Sequence, residues 1–210
     1  PSVMRTLRRT PAVYYCHEPL RILYEKMPWR PYDREELGRR KLLNRYDPLP
    51  ELYRRRLRQA DRQNIRRAGR VLVNSQFTRQ AVQDTYNVEA LVSYHGVDAD
   101  LFRPLGLERE RFALSVGSLT PLKGFDFLVE SLALVPAAER PGLVIASNFQ
   151  NPPERDYLAG LAAERGVDLK MMGSISDERL VELYNRAGMA VYAPRREPFQ
   201  AEPGQFVMVS

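Results

Sequence analysis

A chain of 210 residues, 44% hydrophobic and 28% charged, has a soluble globular composition and the length for one large domain or two small ones. No apolar run approaches the roughly 20 residues that cross a bilayer, and the lone Cys16 excludes an internal disulfide, argues against a zinc cluster and fits a reducing, cytoplasmic setting. The net charge of +6 is uneven: residues 1–70 hold 19 basic against 8 acidic side chains, while residues 71–210 hold 13 against 18.

The sequence opens at Pro1 with neither a methionine nor a signal-peptide pattern, so the natural start is expected upstream. Residues 12–16 (AVYYC) read as a buried strand that ends at His17, Glu18 and Pro19. The proline-punctuated stretch 28–50 reads as a loop or lid with short helical pieces. Residues 51–68 then read as a helix with Leu52, Leu57 and Ile65 as its few apolar anchors. Most of the basic excess falls within residues 30–70, including Arg54, Arg55, Arg56, Arg58, Arg62, Arg66 and Arg67. Three readings stay open for this basic insertion, about residues 28–70: a solvated helix face, contact with an anionic membrane surface or phosphate-bearing acceptor, and nucleic-acid binding. The last is disfavoured, because no reader motif or interleaved aromatic platform accompanies the charge.

A short strand follows at 71–73, Asn74 or Ser75 caps a helix running to about Tyr86, and another strand occupies 90–94. His95-Gly96-Val97-Asp98 then turns the chain toward Phe102-Arg103-Pro104. The expected organisation is a partial N-terminal domain (1–97), a linker (98–110) and a partial C-terminal domain (111–210). In the last, strands at 112–116, 142–147, 168–172 and 189–193 alternate with helices at 123–135, 154–165 and 177–187. Such alternation predicts an α/β fold with Rossmann-like parallel sheets and helices on both faces. Ligands of such sheets bind at the carboxyl ends of the strands, where Gly117, Ser147, Gly173 and Pro194 fall.

The segment 112–132 carries most of the functional information. An apolar strand breaks at Gly117, a polar turn brings Pro121, Lys123 and Gly124, and an amphipathic helix begins. Backbone N–H groups at a helix start attract anions, and Lys123 adds a positive charge. On the residues alone, a phosphate cradle and an ordinary βα turn with a solvated lysine fit equally well.

V-G-S-L-T-P-L-K-G (116–124) resembles the opening of the C-terminal domain in family 4 retaining glycosyltransferases of the GT-B fold. The usual V-G-R-L-x-P-x-K-G has arginine where this chain has Ser118, which donates one hydrogen bond but brings no charge and no bidentate fork. Further segments resemble the same family in family order: V-L-V-N-S-Q-F-T (71–78), H-G-V-D (95–98) with F-R-P (102–104), M-G-S-I-S-D-E-R-L-V-E-L-Y-N-R-A (172–187) and A-P-R-R-E-P-F (193–199). His95 replaces the asparagine common in the second of these. Y-Y-C-H-E-P-L-R (14–21) is similar to the Y-C-H-x-P of mannosyltransferase-like members.

The resemblance implies two incomplete GT-B domains: the second half of an N-terminal one and the first two-thirds of a C-terminal one. It implies retaining transfer of a sugar, mannose first, from a nucleotide-diphosphate sugar to a glycan or lipid-linked acceptor. Gly117, Ser118 and Lys123 would meet the diphosphate, Ser174 and Ile175 would edge the base, and Glu197 and Phe199 would complete the donor site. His17 and Glu18 would stand on the acceptor side. His17, Lys123 and Glu197 are the residues nearest the chemistry, with no protein nucleophile assigned and the departing diphosphate stabilised by Lys123 and loop amides. For Leu180, ordinary core packing is the better expectation. No cofactor and no divalent metal are expected, since no Asp-x-Asp cluster stands in the site. The implied location is cytoplasmic, with peripheral contact at the inner membrane face through residues 30–70. The resemblance lapses from Phe199 onward: Gln200 replaces a glycine and Gln205 a glutamate. An inactive fragment or pseudoenzyme that holds a nucleotide sugar or a partner is the alternative expectation.

Overall fold

The computed structural model describes residues 11–25, 28–33, 49–149 and 151–194. The expectations for residues 34–48, for Glu197, Phe199, Gln200 and Gln205, and for the tail lie outside the described residues. The chain folds as two compact units, divided between Gly96 and Val97.

The first unit contains β1 (Val13–Cys16), α1 (Arg21–Tyr24), α2 (Leu49–Ile65), β2 (Arg70–Val73), α3 (Gln76–Tyr86) and β3 (Leu91–Val92). Its three strands are parallel in the order β1-β2-β3, with Cys16 opposite Val73 and Val73 opposite Val92. Among the described residues β1 is an edge strand, less buried than its sequence suggests, with Val13 62% exposed. The third strand is shorter than expected, two residues rather than five. Cys16, Ile65, Val71, Val73, Val82, Tyr86 and Ala90 form the core of this unit.

Of the expected apolar anchors of helix α2, Ile65 is buried and Leu57 half-buried, but Leu52 is not. Leu52 is 53% exposed, and the buried positions are Asp61, Asn64 and Ile65. The Tyr86 hydroxyl donates to Asp61 at 2.8 Å and the Tyr24 hydroxyl at 3.1 Å. Arg58 Nε donates to the Leu23 carbonyl and Arg66 Nη2 to the Tyr86 carbonyl, at 2.8 and 3.1 Å. A buried carboxylate is tolerable only with such donors. Burial, reinforced by the Asp61 charge, pushes the Tyr24 phenol up to about 12 and drives the Tyr86 phenol higher still. Burial likewise raises the Cys16 thiol to about 11, so it is protonated and inert at neutral pH.

The second unit contains β4 (Glu110–Val116), a 3-10 turn (Pro121–Lys123), α4 (Phe125–Ala133), β5 (Gly142–Ser147), α5 (Pro152–Arg165), β6 (Leu169–Gly173), α6 (Asp177–Arg186) and β7 (Ala187–Ala190). The four parallel strands lie in the order β6-β5-β4-β7. The chain therefore walks outward from β4 to β6 and then crosses back to the other side of β4. Right-handed crossovers place helices on opposite faces when the direction of travel reverses. Accordingly Ala113, Leu143 and Ile145 pack with Leu128, Val129, Leu158 and Ala162 of α4 and α5, while Leu114 and Ala146 pack with Leu183 of α6. Leu180 joins the second cluster, as expected of a core residue. The guanidinium of Arg140 ends both α4 and α5, donating to the carbonyls of Ala133, Val135, Arg165 and Gly166.

The last strand starts two residues earlier than expected and ends three earlier. Helix α6 runs into β7 with no connector, and pairing with β4 begins at Glu110 and Ala187 before a register shift. Pro194 consequently stands beyond the strand end rather than at it.

The tyrosine–Asp61 network makes a testable prediction. Both phenols are raised above their unfolded value near 10, so their contribution is fully present below pH 10 and is lost as the pH climbs through about 12. Tyr86→Phe, which leaves the buried carboxylate with one fewer donor, should cost about 1.5–3 kcal/mol at pH 7. Urea melts followed by circular dichroism check this; an unchanged midpoint would mean the network carries no stability.

Candidate functional site

The loop between β4 and α4 is built residue by residue. Gly117 continues the sheet, its N–H donating to the Ala146 carbonyl at 3.0 Å. Leu119, 1% exposed, turns inward, and its N–H meets Ser147 Oγ at 3.1 Å. Ser147 Oγ in turn donates to the Phe149 carbonyl at 2.7 Å, which ties the loop to the end of β5. The 3-10 turn closes with Lys123 N–H on the Thr120 carbonyl at 3.0 Å. Gly124 then adopts a left-handed φ of 68° and serves as N-cap of α4 without a capping side chain.

Two glycines in this loop are there for space. A Cβ at Gly117 would stand 3.2 Å from Lys123 Cδ, so the lysine stem lies across the bare backbone. A Cβ at Gly124 would fall 2.0 Å from the Ala193 carbonyl oxygen. The segment after β7 therefore abuts the loop after β4, with Val191 N–H on the Leu114 carbonyl at 2.8 Å just before it. Lys123 Nζ stands 5.7 Å from the Tyr192 ring centroid. Gly117, Lys123, Gly124, Tyr192 and Ala193 converge where the strand order reverses, between β4 and β7, the ligand position of open α/β sheets. Asp126, buried in the first turn of α4, already answers the helix dipole in part, so among the described residues of the loop the positive charge comes from Lys123.

Ser118 is half-buried, and its carbonyl accepts the Thr120 N–H at 2.8 Å. Ser174 follows β6 with a left-handed φ of 53°, unusual for a residue bearing a side chain and the kind of strain that gathers at ligand sites. Ile175 packs against the Leu114 cluster, and Ser176 caps α6 by accepting the Arg179 N–H at 3.3 Å. The Ser176 hydroxyl and its own backbone N–H hold the Glu178 carboxyl below the usual range. Register sets Gly117 level with Ser147 and Gly173, so Ser174 lies two strand spacings away, roughly 10 Å.

In the first unit, Thr78 Oγ1 donates to Asn74 Oδ1 at 2.7 Å and lies 3.3 Å from the His17 carbonyl, which brings the ends of β1 and β2 together. His17 is exposed at that edge, its ring stacked on His95 at 5.3 Å and 18°. Tyr15 touches both rings, and its hydroxyl donates to the Ser93 carbonyl at 2.6 Å. Glu18 forms an ion pair with Arg21 at 2.8 Å. Sequence reasoning placed Ser147 at the ligand edge but did not single out His95 or Tyr192 as site residues. The one available signal was His95, the second of only two histidines, standing where the resembled motif has asparagine.

Residues 98–200 match the family Glycosyl transferases group 1, and residues 2–101 match Glycosyltransferase Family 4. Laid end to end, the two matches make nearly the whole chain similar to a family 4 domain followed by a group 1 domain of the glycosyltransferases. An uncharacterized glycosyltransferase from Methanocaldococcus jannaschii is 32% identical over 100 residues, 46% of this chain and 25% of that protein. Among solved structures, sucrose-phosphate synthase from Thermosynechococcus elongatus superposes with a TM-score of 0.68 at 19% identity, covering 94% of this chain and 48% of that one. Anabaena HepE, solved in complex with UDP and glucose, gives 0.62 at 18% identity, covering 90% and 48%. The fold class is thus that of the GT-B glycosyltransferases, and this chain spans about half the length of these two structures.

The contact at Gly124 predicts the outcome of Gly124→Ala. Left-handed backbone and overlap with the Ala193 carbonyl together should cost at least about 2 kcal/mol, against a gain of about 0.5–1 kcal/mol for Gly160→Ala inside helix α5, where a Cβ meets nothing within 4 Å. Thermal melts of the two variants decide it; equal melting temperatures would refute the contact.

Proposed function

We propose that this chain carries the donor-binding heart of a retaining glycosyltransferase that moves a sugar from a nucleotide-diphosphate sugar. The observation that supports it most is the convergence of Gly117, Lys123 and Tyr192 at the β4–β7 reversal. The diphosphate would lie against Lys123 and the loop amides, which stabilise the charge that grows on the leaving group. Ser118 adds a hydrogen bond there, the Ser174–Ile175 backbone borders the base, and Glu197 and Phe199 extend the donor site. HepE, a structural neighbour solved with UDP-glucose, supports a nucleotide sugar as ligand. The acceptor, a glycan or lipid-linked glycan, would approach His17 and Glu18, with mannose the first donor sugar to try. The chemistry asks for no divalent metal.

The basic helix supports a cytoplasmic protein working at an anionic membrane surface. Among the described residues no helix is long and apolar enough to cross a membrane. Exposed Arg54, Arg55 and Arg56 follow Leu49, Leu52 and Tyr53, which are also exposed on α2, a pairing of apolar and cationic side chains suited to an interface.

Calorimetry with UDP-, GDP- and ADP-sugars tests the donor reading. One nucleotide series should bind, Lys123→Ala should weaken it at least about tenfold, and added EDTA should change nothing. No binding by any nucleotide, or equal binding by the alanine variant, would overturn the phosphate site. For the membrane reading, α2 arginine-to-alanine substitutions should release the chain from anionic vesicles in sedimentation; retention without the arginines would exclude it.

A further inference from the structure

Lys123 is the only cation between Gly117 and Gly124, so the direction of its ammonium decides what the loop can hold. A lysine has a flexible four-carbon stem and loses much conformational freedom when fixed. Three features of the fold constrain it. Its stem crosses the bare backbone of Gly117. Its C-terminal neighbour Gly124 is pressed against the Ala193 carbonyl. Its Nζ lies 5.7 Å from the centroid of the half-buried Tyr192 ring, within the range where a ring face attracts an ammonium. Tyr192 is itself fixed from below, since the adjoining Val191 N–H binds the Leu114 carbonyl on β4.

We propose that Tyr192 is a positioning residue for the donor diphosphate: its ring face holds the Lys123 ammonium at the β4–β7 reversal, aimed at the phosphate position. The inference deepens the phosphate-site reading above and rests on it. Its physical content is pre-organisation. A lysine already held in place gives up less freedom when the ligand arrives. The effect matters more here because Ser118 brings no second charge to the loop.

The test uses the full chain and whichever of UDP, GDP or ADP it binds most tightly. Tyr192→Leu should weaken that nucleotide about three- to tenfold, while Tyr192→Phe, which keeps the ring, should bind as the unaltered chain does. Tyr192→3,4,5-trifluorophenylalanine keeps the shape but depletes the ring face, and should fall close to Tyr192→Leu. In a Lys123→Ala background Tyr192→Leu should cost nothing further, and the nucleoside of the same base, which has no phosphate, should bind all variants alike. Undiminished binding by Tyr192→Leu would overturn the proposal, as would a Tyr192→Phe variant as weak as leucine or a loss that persists without Lys123. Should Tyr192→Leu fail to fold, the fluorinated variant decides. Failure of the unaltered chain to bind any nucleotide sinks the phosphate reading and this inference together. Binding that is weakened by Lys123→Ala but by no Tyr192 substitution sinks this inference alone.

Discussion

The carbonyl oxygen of Ala193 occupies the space in which residue 124 would carry a side chain. From that contact the arrangement of the second unit follows. The loop after β4 must close through one left-handed residue, and α4 must begin there without a capping side chain. The exit of β7 must run alongside, because β7 pairs with β4 on the side away from β5. A glycine is thus the condition under which two chain segments far apart in sequence share one small volume. Backbone amides, a lysine and a tyrosine ring gather as a result.

The edge of the first unit is organised differently. There no glycine is squeezed; hydroxyls and rings do the joining. Thr78 and Asn74 connect the end of β2 to the His17 carbonyl, and three aromatic rings form a continuous surface of Tyr15, His17 and His95. Both units nevertheless obey one rule of parallel sheets, that chemistry-bearing side chains accumulate where strands end. The amino ends carry the ordinary polar surface: a cleft of about 550 Å³ beside Arg70 and Leu91, and one of about 490 Å³ beside Glu110 and Gly142.

Much of this was legible in the sequence because glycine, proline and alternating apolar runs mark local geometry directly. The strand, turn and helix around Gly117–Gly124 were read that way, as were β5, α5 and the Ser75 cap of α3. What escaped was set by partners distant in the chain. β7 starts early because its pairing with Glu110 is decided by the register of β4, which no local pattern encodes. Leu52 looked like an anchor because it is apolar, whereas a buried acid with two tyrosine donors holds the helix. The His17–His95 stack depends on β1 and β3 flanking the same strand, so it emerges only from sheet order. Tyr192 lay in a segment read as strand, where its meeting with Lys123 could not be inferred.

Helix α2 invites a thermodynamic remark. Of its 17 residues, Asp61, Asn64 and Ile65 are the buried ones, and both polar atoms of the Asn64 side chain are buried with no hydrogen-bond partner among the described residues. Lifting the helix from the sheet would therefore wet little hydrocarbon while rehydrating a carboxylate and an amide. Such an opening carries a small heat-capacity increment and little sensitivity to urea. Its amides would exchange with solvent as a separate, low-lying unit, well before the strands beneath it. Among the described elements, the most cationic one is thus held to its unit by polar groups more than by hydrocarbon.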